Sequence, residues 1–71
     1  MLNIGDYAVN PKTGHLGKVI GYGHQVLKGS YETTLKVLVI ESGTYNKRGF
    51  VEEDLCSAWI GWLEGQNFHR F

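Results

Sequence analysis

Along most of the chain apolar and polar residues alternate, the period-two pattern of half-buried β-strands. "GDYAVN" sets Tyr7 and Val9 against Asp6 and Ala8. It predicts a short first strand, which Pro11 ends within the turn "NPKTG". From Leu16 to His24, Val19, Ile20 and Tyr22 stand among Gly17, Gly21 and Gly23. The β-branched content favours a second strand, and glycines inside it mark a bulge, a sharp bend or a neighbouring backbone at close range. After a loop at "QVLKGS", the run "YETTLKVLVIE" predicts the third strand. Thr33, Leu35, Val37 and Val39 share one face, and Thr34, Lys36, Leu38 and Ile40 the other. Its end is apolar on both faces, as expected of a central strand whose far end is covered. "SGTYNKRG" has the chemistry of a reversal, and "GFVEE" then gives a fourth strand through Phe50 and Val51.

The C-terminal part reads in two ways. Leu55, Trp59, Trp62 and Leu63 stand at offsets of 0, 4, 7 and 8, a single helical stripe. Asp54 would cap this helix, Gly65 would end it, and Glu52, Glu53 and Asp54 would meet its positive end. A strand from Ser57 to Leu63 competes, and Gly61 weighs against the helix. "QNFHRF" follows as a short last strand or a tail. The expectation is a mainly β protein: one domain over residues 1–71, a small barrel of four to five short antiparallel strands with a short helix near the C-terminus. Closing such a sheet removes edges that would otherwise aggregate.

The segment "IGDYAVNPKTGHLGKVIGY" resembles the opening of SH3-like barrels of the CarD type, through Gly5, Asp6, Val9, Pro11, Gly14, Gly17, Lys18 and Val19. "LKVLVIESG" and "FVEEDL" resemble that domain's third and fourth strands, so the likeness spans about residues 4–55. Similar corner glycines and prolines occur in KOW modules, and small SH3-like subunits of photosynthetic complexes have a similar size. The CarD resemblance implies docking on RNA polymerase, and the KOW resemblance implies binding to nucleic acid.

Composition narrows the function. A chain of 71 residues has little apolar material to divide between a core and a catalytic cleft. Seven bases balance seven acids, so no overall field draws the protein to nucleic acid or an anionic membrane. Their placement is uneven: residues 1–31 hold Lys12, Lys18 and Lys28 against Asp6, and the remainder holds four bases against six acids. A lone Cys56 permits no internal disulfide, and no apolar run reaches the ~18 residues of a membrane span. The expected setting is cytoplasmic, with no membrane insertion.

The chemistry motifs fail on spacing. "GHLGKV" brings Gly14 too close to Gly17 for a phosphate-cradling loop and puts Val19 where a hydroxyl must hold magnesium. "GYGHQV" lacks the third glycine and following helix of a dinucleotide site. His15, His24 and His69 are 9 and 45 residues apart, which fits no zinc pattern. Cys56 reads as a small buried hydrophobe, and the acidic trio as a solvated turn. Neither a cofactor nor a catalytic residue is expected.

The nine aromatic residues exceed what so small a core can cover. Trp59 is expected in the core. Tyr22, Tyr45, Trp62, Phe68 and Phe71 are the candidates for contact with a protein partner in a larger assembly, or with a second copy. Lys12, Lys18 and Lys28 are the candidates for nucleic-acid contacts under the alternative reading.

Overall fold

A computed structural model describes residues 1–42 and 47–62. Five antiparallel strands form one sheet: β1 (Tyr7–Asn10), β2 (His15–Leu27), β3 (Ser30–Ser42), β4 (Lys47–Leu55) and β5 (Ile60–Trp62), in the order β4-β3-β2-β1-β5. A three-residue 3-10 turn, Cys56–Ala58, joins β4 to β5. No ladder pairs β4 with β5, so hydrogen bonding leaves these two strands as the sheet's edges. Tyr45, Phe68 and Phe71, together with His69, Leu63 and Gly65, lie outside the described residues.

The alternation reads correctly for β1 and for the core face of β3. Leu35, Val37 and Val39 are buried with Ala8, Val19 and Trp59, and these six form the described core. Trp59 thus lies where the sequence places it. Cys56 is half-buried against the same cluster, with Leu2 and Ala58.

Three expectations change. Over residues 55–62, the described part of the expected helix, the chain instead ends β4, makes the 3-10 turn and enters β5, closer to the competing strand. Trp59 and Trp62, three apart, would share a helical face, but in extended chain they part: Trp59 turns into the core, and Trp62 lies 39% exposed opposite Tyr7. Gly61 sits opposite Ala8, where β5 approaches β1. The loop at "QVLKGS" is mostly strand, since β2 runs on to Leu27 and a two-residue turn returns the chain. Lys28 (φ 51°) and Gly29 (φ 82°) both adopt the left-handed conformation that such a turn demands. The far end of β3 is not covered on both faces: Ile40 is 58% exposed.

The glycines of β2 have distinct roles. The register shifts between Val19 and Gly21, so Ile20 bulges and the strand bends. At Gly17 the β3 backbone passes so close that a Cβ would overlap the Leu38 carbonyl oxygen. At Gly21 the nearest obstacle to a Cβ is the Lys36 side chain, 3.9 Å away. Gly17→Ala is therefore expected to destabilise the fold by about 3 kcal/mol, because backbone must move, and Gly21→Ala by less than about 0.5 kcal/mol. Urea melts of the two variants check this, and equal effects would refute the close-approach account.

Candidate functional site

The sheet carries a polar cluster on its inner face and an apolar expanse on its outer one. The polar cluster begins with Asn10, fully buried at the end of β1. Its Nδ2 donates to Glu52 Oε2 and to Asp54 Oδ2, both at 3.0 Å, and its Oδ1 accepts the Lys12 backbone N–H. Around this amide, Thr13 Oγ1 donates to Glu52, His15 Nδ1 lies 2.5 Å from Glu52 Oε1, and Lys12 Nζ lies 2.9 Å from Asp54 Oδ2. The acidic trio is therefore not a solvated turn ahead of a helix. It belongs to β4, where Glu52 and Asp54, two apart, share the inner face and converge on Asn10. Glu53 points the other way and accepts a 2.5 Å hydrogen bond from Thr34.

Chemically this cluster is a clamp between β1 and β4. The hydrogen bond from Asn10, then that from Lys12, hold the Asp54 carboxyl below its ordinary value of 3.8, against an opposing effect of burial. Among the described residues, no three His, Cys, Asp or Glu side chains are arranged to hold a metal ion.

The outer face is built by cross-strand pairing. Trp62, Tyr7, Lys18, Leu38 and Val51 are successive neighbours across all five strands. Beside them run Ile60, Val9 and Leu16, with Ile40 next along β3. Leu16 is 41%, Val51 52% and Ile60 55% exposed. Tyr7, Leu16, Gly17, Lys18, Leu38 and Ile40 line a shallow groove of about 260 Å³. The Lys18 ammonium lies 5.4 Å from the centroid of the Tyr7 ring, so the one charge in the groove stands over an aromatic face.

The structure separates the residues singled out from the sequence. Trp62 and Lys18 fall on the outer face. Tyr22 is 39% exposed on the inner face, its hydroxyl donating to the Leu2 carbonyl at 2.7 Å. Lys12 is engaged by Asp54, and Lys28 sits at the β2–β3 turn. Nine residues of β2 part Lys18 from Lys28, ten steps or roughly 33 Å of extended chain, so the three lysines form no patch. His24 packs edge-on against Tyr31. Asn10 was missed because an Asn before Pro reads as turn chemistry. The outer-face residues did leave a signal, in the apolar Leu38 and Ile40 on the second face of β3.

Compared with protein-family models, with curated proteins and with solved structures, the chain matches none significantly.

Asn10→Ala removes the donor that the two carboxylates share, and a loss of about 2–3 kcal/mol is expected in denaturant melts. Because folding lowers the Asp54 pKa, its contribution to stability is fully present above its unfolded value and disappears as pH falls through the lower folded value. The melting temperature is expected to drop between about pH 5 and pH 2, and Asp54→Asn to flatten that slope. An unchanged slope in Asp54→Asn would refute the clamp's electrostatic role.

Proposed function

We propose that this chain is a non-enzymatic protein-interaction module, an adaptor or auxiliary subunit, that docks on a larger assembly through the outer face of its sheet. The observation that carries the reading is the apolar expanse across all five strands, with Leu16, Ile40, Val51, Ile60 and Trp62 exposed together. Side chains this apolar gain most by being covered, and a contiguous exposed patch marks an interaction surface. Lys18 sets the chemistry of the partner: a mainly apolar surface bearing a carboxylate.

An SH3-like barrel is the fold we infer behind this surface. The β4-β3-β2-β1-β5 order, the 3-10 turn before β5 and the β1–β4 clamp support it. The likeness to CarD-type domains makes RNA polymerase the first assembly to test. The scattered lysines argue against the KOW-type alternative, since phosphate contacts supply most of the affinity of nucleic-acid binders.

Affinity capture from the native cell, with wild type and Ile40→Asp compared, tests the reading. The variant is expected to lose the captured protein at least about tenfold while melting as wild type does, since Ile40 is exposed. Trp62→Ala is expected to weaken association more than stability. Undiminished capture by Ile40→Asp, or tight and steeply salt-dependent binding to a labelled oligonucleotide, would overturn it.

A further inference from the structure

Among the described residues the sheet has hydrogen-bonding edges without a partner strand, and the chain defends them unequally. β4 carries Lys47, Arg48, Glu52, Glu53 and Asp54 in sequence, and β5 is three residues long. Both are familiar protections against strand addition. Beyond its pairing with β4, β3 is open only over Ser30–Thr33, a stretch that includes Glu32. The distal half of β2 is different. From Ile20 to Leu27, "IGYGHQVL" contains no Lys, Arg, Asp, Glu or Pro, and β1 pairs with β2 only as far as Lys18.

Which backbone groups face outward follows from the register. At the near end, Val19 turns away from β3: its N–H donates to the Asp6 carbonyl (2.8 Å) and its carbonyl accepts from Gly5 (2.9 Å). At the far end, the two-residue turn makes Leu27 and Ser30 the bonded pair that closes the hairpin. Antiparallel pairs alternate between bonded and non-bonded, so Gln25 and Gly23 also bond toward β3. Tyr22, His24 and Val26 therefore direct their N–H and C=O groups outward, and the bulge at Ile20 reconciles the two ends. Among the described residues, no strand pairs with them on that side.

We propose that this edge pairs with the same edge of a second copy of the chain, antiparallel, about a twofold axis at His24. The outward residues lie at equal spacing on either side of His24, so one register satisfies both copies. In that register Tyr22 stands opposite the partner's Val26, and Val26 opposite the partner's Tyr22. Aromatic and β-branched residues so placed are favourable cross-strand neighbours. His24 stands opposite the partner's His24, in a bonded pair. An uncharged edge on a chain of zero net charge meets no repulsion from its own copy. The arm also offers apolar area to cover, since Val26 is 58% and Tyr31 78% exposed. The contact uses none of the outer face and stands independently of the docking reading.

Sedimentation velocity over about 1 μM to 1 mM protein tests the proposal. Wild type is expected to show a concentration-dependent monomer–dimer equilibrium. His24→Lys and His24→Glu each place like charges at the axis, and each alone is expected to raise the dimer Kd at least tenfold. Mixed in equal amounts, they are expected to restore the dimer, as only a self-paired edge centred on His24 would. His24 is exposed on the arm, and melting curves of both variants establish that they fold. A wild type that stays monomeric throughout would overturn the proposal. So would a dimer indifferent to both variants, or a mixture that fails to associate.

Discussion

A single side-chain amide joins two strands that the sheet order keeps apart, and the curvature that lets it do so runs through the rest of this structure. β1 and β4 are separated in the sheet by β2 and β3, about 14 Å if the sheet were flat. Yet Asn10 on β1 lies 3.0 Å from carboxylates of both Glu52 and Asp54 on β4. The sheet must fold over its own inner face for these groups to meet. Burying two acids beside one amide carries a desolvation penalty, offset here because Lys12 and His15 bring positive or proton-bearing nitrogens to the rim. Among the described residues six apolar side chains are buried beneath this bend, so the polar clamp matters more than it would above a larger core.

The bend itself needs local permission. The bulge at Ile20 reverses the facing of β2 partway along, and the absent side chain at Gly17 lets β3 approach. These two devices stand on either side of Val19, a buried core residue, so strand curvature and core packing are settled at the same place.

With Ala8, Val19, Leu35, Val37 and Val39 committed inward, alternation forces their neighbours outward. Leu16, Leu38, Ile40 and Ile60 remain apolar there, although a sheet of this size needs only one apolar face to fold. A second apolar face has no role in the core and suits a surface to be covered. Farther along, the β2–β3 hairpin extends past both β1 and β4, and a two-stranded ribbon has little stability of its own. Outer face and arm are thus separate consequences of one topology.

Much of this was legible in the sequence. The mainly β class, the stop at Pro11 and the Leu35–Val37–Val39 core face all follow from local pattern, because period-two alternation and ring fixation act within a few residues. Tertiary structure alone decided the rest. Leu55, Trp59 and Trp62 satisfy a helical stripe, and only the neighbouring β1, with Gly61 against Ala8, selects the extended chain. The acidic trio reads as a helix start until β3 pairs with it and alternation sends Glu52 and Asp54 to one side. Asn10 carried no signal, because its partners lie 42 and 44 residues away and no local rule reaches that far. Which strand faces a sequence makes apolar can be read from spacing, but which of them is left bare depends on how the sheet bends.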